Sequence, residues 1–200
     1  MSSDPKLIPY ILPIIDGSVI LDVGCGYGKW GYLLRIDHWY TKSGRRKSKL
    51  ECVVGVDVYI RYLKFVKYHR IYDEVILCDA RYLPFRKKTF DTVLLLEVVE
   101  HLSKHEGARM LKEAEQIANH LVIVSTPAYF IRQKARDRNL FQKHLSKWTT
   151  NDFVELGYSI IMGTFALERI YNYLQYFFPK LTYVSTQYPV SLIALKRIST

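Results

Sequence analysis

The sequence predicts an α/β fold in which helices cover both faces of a mostly parallel sheet, giving a three-layer sandwich. Short apolar runs rich in β-branched residues recur at residues 19–23, 52–56, 75–77, 92–96 and 121–124. Stretches with helical spacing separate these runs. Strands that are buried on both faces form continuous apolar runs, and parallel strands need helical crossovers. The alternation of strand and helix therefore predicts a doubly wound sheet.

Two capping boxes mark where helices begin. Ser103-x-x-Glu106 precedes the clearest amphipathic stretch of the chain, and Thr149-x-x-Asp152 precedes a shorter one. In such a box, each of the two side chains binds the backbone N–H of the other residue. We therefore expect one helix to start after Ser103 and another to start after Thr149.

The last third of the chain predicts two further strands, at residues 158–162 and 190–195. Between them, apolar residues at helical intervals predict an inserted helix at about 164–180. Its aromatic group at 171–178 is expected to form core or dimer contacts, with a lid over the acceptor as the alternative. The basic stretch at 41–49 predicts an exposed loop.

Length and composition indicate one globular domain spanning residues 1–200. The longest early apolar run, at 7–15, contains two prolines and is shorter than the roughly 20 residues of a membrane-spanning helix. We therefore expect a cytoplasmic protein. Cys25, Cys52 and Cys78 have no paired metal-ligand spacing, so neither a disulfide framework nor a metal site is predicted.

The formal net charge of +10 is compatible with an anionic partner such as nucleic acid, or with a basic solvated surface. Basic and aromatic residues also alternate between residues 129 and 147. Such interleaving is typical of RNA-binding surfaces, but a charged helix that faces solvent has the same composition. Charge alone leaves both interpretations open.

A glycine-rich turn follows the first predicted strand and enters a helix, with Gly24, Gly26, Gly28 and Gly31 in sequence. Glycines there let a ligand approach the backbone closely. The spacing also satisfies the dinucleotide-binding pattern. Asp22, just before the turn, would repel a pyrophosphate but suits the ammonium group of a methionine-like tail. The charges therefore favour a cationic ligand.

Acidic residues stand where three further predicted strands end. Asp57 can accept hydrogen bonds from the two ribose hydroxyls of an adenosine, which either type of ligand contains. Asp79 can accept from the adenine amino group. After the fourth strand, Glu97 and Glu100 lie three positions apart, and we expect Glu97 to face the pocket.

Taken together and in order, these motifs resemble the class I methyltransferases, in particular the type 11 subgroup that includes ubiquinone and menaquinone C-methyltransferases. The resemblance rests on residues 21–28, 55–57, 79–85, 90–102, 125–127 and 144–158, and covers a core of about 18–162. It implies a Rossmann-like sheet of seven strands with the last antiparallel, and S-adenosylmethionine as the cofactor. The implied cofactor-binding residues are Asp22, Gly24, Cys25, Gly26, Gly28, Asp57, Val58, Asp79, Ala80 and Glu97.

Methyl transfer from a sulfonium is a direct displacement, for which an enzyme mainly aligns the reactants and excludes water. A base is needed only when the acceptor carries a proton, and His101 is the candidate. The alternative is that His101 orders the turn after the fourth strand. No metal ligand is expected.

The acceptor is expected to be a small molecule. An RNA or protein acceptor bound through the basic surface is the first alternative, and a non-catalytic module that binds the cofactor is the second. A nicotinamide-dependent oxidoreductase is the remaining enzyme alternative. The oligomeric state stays open, with a dimer as one possibility.

Overall fold

The computed structural model describes residues 4–40, 50–128, 133, 135, 139–162 and 191–199. The predicted basic loop at 41–49, the inserted helix at about 164–180 and its aromatic group lie outside the described residues. So does most of the basic and aromatic stretch between 129 and 138. In the described ranges, no helix combines the length and the apolar character needed to cross a membrane.

Seven strands form one sheet in the order β3-β2-β1-β4-β5-β7-β6. The first five pair in parallel, and β7 runs antiparallel to both of its neighbours, β5 and β6. This confirms the predicted mostly parallel sheet with an antiparallel last strand. The strands are β1 (Val19–Val23), β2 (Cys52–Asp57), β3 (Glu74–Leu77), β4 (Phe90–Leu96), β5 (Ala118–Pro127), β6 (Ser159–Met162) and β7 (Ser191–Arg197).

Five α-helices lie in the described part of the chain, with four short 3₁₀ segments beside them. The α-helices are α1 (Ile8–Ile11), α2 (Lys29–Tyr40), α3 (Ile60–Tyr68), α4 (Lys104–Ile117) and α5 (Thr150–Glu155). The 3₁₀ segments are Pro5–Leu7, Leu12–Ile14, Val99–His101 and Leu140–Gln142. The apolar run at 7–15 is therefore built of short helical turns, with Leu7 and Ile11 fully buried.

The core consists of two apolar clusters, because successive residues of a buried strand point to opposite faces of the sheet. On β4, Val93 belongs to the cluster that includes Met110 of α4. Its neighbour Leu94 belongs to the other cluster, with Leu34 of α2 and Leu63 of α3. Burial on both faces explains why the strands read as unbroken apolar runs, and it confirms the three-layer arrangement.

Both predicted capping boxes are formed. The Ser103 hydroxyl accepts the N–H of Glu106 at 3.3 Å, and the Glu106 carboxylate accepts the N–H of Ser103 at 3.1 Å. The same reciprocal pair joins Thr149 and Asp152 at the start of α5. These bonds satisfy N–H groups that have no partner inside the helix.

The chain reverses its winding direction between β1 and β4, which are neighbours in the sheet. The connections of β1 and β4 therefore leave the sheet in opposite directions and open a crevice beyond the carboxyl ends of these strands. Ligands of doubly wound sheets bind at this kind of switch point. The fold thus places the candidate site beside the ends of β1, β2 and β4.

We predict that Ser103→Ala lowers the free energy of unfolding by about 1 kcal/mol, because the substitution removes the side-chain acceptor for the N–H of Glu106. Urea titration followed by circular dichroism measures the change. Ser199→Ala, at an exposed serine beyond β7, is the matched control and should leave stability within about 0.5 kcal/mol. An equal loss in both variants would contradict the capping role.

Candidate active site

The glycine-rich loop after β1 is held against the end of β2. The N–H groups of Gly24 and Cys25 both donate to the carbonyl of Val56, at 2.8 and 2.9 Å. Gly24 has a φ of 69°, and a Cβ there would lie 2.6 Å from a methyl group of Val98. Backbone conformation and packing together therefore require glycine at this position.

Asp57 completes this connection with its side chain. One carboxylate oxygen accepts the N–H of Gly26 at 2.9 Å, and the other accepts the N–H of Tyr59 at 2.8 Å. Burial raises the pKa of Asp57, and these two backbone hydrogen bonds oppose the rise. Asp57 is thus a positioned carboxylate at the end of β2, and it holds the glycine loop in place.

These bonds also bear on the ligand that the loop can take. The N–H groups of Gly24, Cys25, Gly26 and Gly28 donate to protein oxygens, one of which belongs to a carboxylate. A dinucleotide site instead uses such groups to hold a pyrophosphate. The loop therefore lacks the chemistry of a phosphate cradle and favours a ligand without phosphate groups.

A cavity of about 390 Å³ lies beside the loop, within the size range of small-molecule sites. Of the ten residues that the sequence predicts at the cofactor, seven line it: Gly24, Gly26, Asp57, Val58, Asp79, Ala80 and Glu97. Among the described residues, the only atom within 4 Å of a Cβ at Gly26 would be a carbonyl oxygen at 4.0 Å, so that part of the chain leaves space beside this glycine. The structure thus brings residues from four strand ends to one wall.

Asp22, Cys25 and Gly28 are not among the described residues that line the cavity. Asp22 is 2% exposed, and its carboxylate accepts the Tyr72 hydroxyl at 2.6 Å. Burial raises the pKa of Asp22 to about 7, against the lowering effect of the bond from Tyr72. In the structure, Asp22 lies behind the loop and contacts Tyr72, so its predicted contact with the cofactor stays a prediction.

Glu97 and Glu100 occupy different surroundings. Glu97 lines the cavity with a φ of 61°, and its carboxylate accepts the Ser125 hydroxyl at 2.9 Å. Burial raises the pKa of Glu97 to about 7. Glu100 is 2% exposed and accepts the Thr126 hydroxyl at 3.1 Å. Of the two glutamates, Glu97 is the one at the cavity wall.

Asp79 lines the cavity but already has a strong partner. Arg81 donates to both of its carboxylate oxygens, with the shortest distance 2.6 Å, and lowers the pKa of Asp79. Arg81 also reaches the Glu106 carboxylate at 2.9 Å. A hydrogen bond from an adenine amino group to Asp79 would therefore compete with the pairing of Asp79 with Arg81, or add to it.

His101 lies in the 3₁₀ turn after β4 and lines the cavity. Burial lowers the pKa of His101 to about 4, so its imidazole is neutral at pH 7. Its Nδ1 atom lies 3.1 Å from the carbonyl oxygen of Lys143. The ring therefore both orders the turn and borders the cavity, which leaves its role as a base a prediction.

Sequence reasoning missed two residues of the site, Tyr72 and Arg81. Tyr72 and Arg81 hold two of the predicted acids, but no local pattern marks a residue that pairs across 50 positions, as Tyr72 does with Asp22. The far wall of the cavity consists of Asn139, Leu140, Phe141, Gln142, Lys143 and Leu145. His144 follows in this segment, and its ring centroid is 4.9 Å from that of His101.

Three features define the class of protein: a doubly wound sheet whose last strand is antiparallel, a glycine loop whose N–H groups bind protein oxygens, and acids at successive strand ends. They are those of a class I S-adenosylmethionine-dependent methyltransferase. A sequence model described as "Methyltransferase domain" matches residues 21–120, which is half of the chain. The chain belongs to this family. Its cofactor is S-adenosylmethionine, as the sequence predicted.

Among curated proteins, the chain is 28% identical over 114 residues to "Probable tRNA methyltransferase 9B" of Bos taurus, covering 56% of this chain and 22% of that protein. It is 29% identical over 150 residues to "tRNA (carboxymethyluridine(34)-5-O)-methyltransferase" of Arabidopsis thaliana, covering 72% of this chain and 31% of that protein. The chain thus spans about a fifth to a third of the length of these two relatives.

Among solved structures, the chain is similar to a SAM-dependent methyltransferase from Archaeoglobus fulgidus. The TM-score is 0.61 at 17% sequence identity, and the alignment covers 96% of this chain and 91% of that one. At this level of identity, the similarity concerns the fold. It agrees with the sheet topology described above.

We predict that Asp22→Asn flattens the pH dependence of stability. The folded-state pKa of about 7 lies above the ordinary value of 3.8, so the fold favours the protonated carboxyl. The contribution of Asp22 to stability is therefore greatest below pH 4 and declines up to about pH 7. The variant should match the parent near pH 4 and be more stable at pH 8, by at most about 4 kcal/mol.

Denaturant titrations of the parent and the variant between pH 4 and 8 measure this difference. Tyr72→Phe is the companion variant, because it removes the hydroxyl that lowers the pKa of Asp22. It should extend the decline in stability above pH 7. Parallel curves for the parent and Asp22→Asn across this range would contradict the raised pKa.

Proposed function

We propose that this chain transfers the methyl group of S-adenosylmethionine to RNA, with transfer RNA as the expected class of acceptor. The observation that carries this proposal is that the curated relatives named above are described as tRNA methyltransferases. The family region, residues 21–120, contains the strand ends around the cavity. This proposal replaces the small-molecule acceptor that we expected from the sequence.

Charge supports an RNA acceptor. The chain has 29 Lys and Arg residues against 19 Asp and Glu residues, a formal net charge of +10. Arg81 and Lys143 are basic residues that line the cavity, and Arg81 is paired there with Asp79 and Glu106. Positive charge of this kind attracts the phosphate backbone without reading the sequence of bases.

The cofactor fits the residues around the cavity. We assign the glycine loop at Gly24 and Gly26 to the methionine part, Asp57 and Val58 to the ribose, and Asp79 with Ala80 to the adenine. Glu97 supplies a carboxylate at the side of the sulfonium. Two carboxylates beside a loop whose N–H groups are occupied suit a ligand with a cationic sulfur and no phosphate.

When bound, S-adenosylmethionine supplies an electrophilic methyl group whose positive charge is lost during transfer. The chain has to align the acceptor with that methyl group and exclude water. Val98 and Leu102 supply apolar surface at the cavity wall, close to Glu97 and His101. We place the acceptor at this end of the cavity, where a neutral imidazole can also take a proton.

We predict that Asp57→Ala weakens binding of S-adenosylhomocysteine by about 1.5–3 kcal/mol, the loss typical of a hydrogen bond to a charged group. Isothermal titration calorimetry measures the affinity. Glu155→Ala, at an exposed carboxylate on α5, is the control and should bind as the parent does. Unchanged affinity in Asp57→Ala would overturn the ribose assignment. Titration with NAD tests the oxidoreductase alternative and should show no binding.

The acceptor is tested with S-adenosylmethionine that carries a tritiated methyl group. We expect the purified protein to transfer label to a transfer RNA fraction in a ribonuclease-sensitive form, and Asp57→Ala to transfer much less. RNA affinity should also fall steeply between 50 and 200 mM salt, because phosphate contacts release counterions. Label that appears in protein or in small molecules but not in RNA would contradict the RNA acceptor while leaving the methyltransferase assignment intact.

A further inference from the structure

We propose that Glu100, His101 and His144 bind one divalent transition-metal ion beside the cavity, whose wall includes His101. Each residue offers one ligand atom, and these atoms lie within 4.8 Å of one another. The three residues come from two separate segments, the 3₁₀ turn after β4 and the stretch that follows Leu140–Gln142. The cluster is therefore a product of the fold and not of local sequence.

Glu100 provides the first independent argument. Its side chain is 2% exposed, and one carboxylate oxygen accepts the Thr126 hydroxyl. The other oxygen, Oε1, is buried and has no hydrogen-bond partner in the described part of the chain. A buried carboxylate left in this way is costly, and a cation beside it removes the cost.

His101 provides the second independent argument for the metal site. A carbonyl oxygen can only accept, so the contact of Nδ1 with the carbonyl of Lys143 places the ring proton on Nδ1. The lone pair of His101 is then on Nε2, the other side of the ring. Metal-binding histidines usually have this arrangement, in which a backbone carbonyl fixes the tautomer and the ring orientation.

The segment that contains His144 is fixed by its backbone. The N–H groups of Leu145 and Ser146 donate to the carbonyl of Glu100, at 2.8 and 3.1 Å. Together with the contact from His101 to Lys143, these bonds hold residues on both sides of His144 against the 3₁₀ turn. The backbone therefore keeps the two histidines and the glutamate together before any ion binds.

The ligand set indicates the kind of ion. Atoms bound at about 2.0–2.2 Å to a common ion lie roughly 3–4 Å apart, so small side-chain rotations bring this cluster into range. Two imidazoles and one carboxylate suit Mn²⁺, Fe²⁺, Co²⁺ or Zn²⁺, whereas Mg²⁺ and Ca²⁺ prefer oxygen ligands. Three protein ligands also leave coordination positions open.

Because His101 lines the cavity, we place the open positions on the side of the acceptor. If the proposed function is correct, the ion would hold an oxygen of the acceptor beside the methyl group, acting as a Lewis acid. A metal-bound Nε2 atom cannot also accept a proton. The metal site and the predicted role of His101 as a base therefore exclude each other.

The test is a titration of chelator-stripped protein with Co²⁺ and Mn²⁺. We expect one equivalent of ion to bind per chain, a visible Co²⁺ spectrum typical of nitrogen and oxygen ligands, and a rise in Tm with ion concentration. Mg²⁺ at the same concentration should not displace Co²⁺. The proposal would be overturned if the protein bound no Co²⁺, or if it took up Co²⁺ with no change in Tm.

Two variants locate the ion. Glu100→Gln and His144→Ala should each raise the Kd for Co²⁺ by at least about tenfold, as loss of a ligand should exceed the effect of losing a supporting contact. His105→Ala, at an exposed histidine on α4, is the matched control and should bind as the parent does. Equal affinity in His144→Ala and the parent overturns the proposal, and this variant decides the matter if Glu100→Gln does not fold.

Binding of S-adenosylhomocysteine, measured in the same samples, separates this proposal from the proposed function. Metal uptake without binding of the nucleoside would contradict the proposed function, which requires the cofactor in this cavity, and would support the metal site. Binding of the nucleoside without metal uptake would contradict the metal site and leave the proposed function standing.

Discussion

The hydrogen bond from the N–H of Gly26 to the carboxylate of Asp57 is the interaction on which the candidate site depends. It joins the loop after β1 to the end of β2, and the bonds from Gly24 and Cys25 to Val56 reinforce the same junction. Parallel register places these two strand ends side by side. One carboxylate therefore both fixes the loop and faces the cavity.

Several carboxyl groups are buried at this site. Asp22, Asp57 and Glu97 are all at or behind the cavity wall, and burial raises the pKa of each. Backbone and hydroxyl donors offset part of the cost of keeping these groups inside the protein. A cationic ligand would offset more of it, which is the physical reason why a sulfonium nucleoside suits this crevice better than a dinucleotide.

Backbone hydrogen bonds also attach the segment after residue 138, which forms the far wall of the cavity, to the turn after β4. The carbonyl of Glu100 accepts two N–H groups from the segment after residue 142, and the carbonyl of Lys143 faces His101. This arrangement defines the end of the cavity where the acceptor is placed. It also brings His144 close to Glu100, although 44 positions separate the two residues in the chain.

Local sequence determined the strands, the two capped helices and the glycine loop, because apolar periodicity, capping boxes and turn glycines act over a few residues. Those patterns also pointed to Asp57, Asp79 and Glu97, which lie at strand ends. Only the tertiary structure decided that Asp22 contacts Tyr72, that Arg81 holds Asp79, and that Glu100 meets two histidines. Arg81 is two positions from Asp79 and His101 is next to Glu100, but the contacts of Tyr72 with Asp22 and of His144 with Glu100 join segments distant in sequence. Burial sets the energies of these contacts, so no local pattern encodes them.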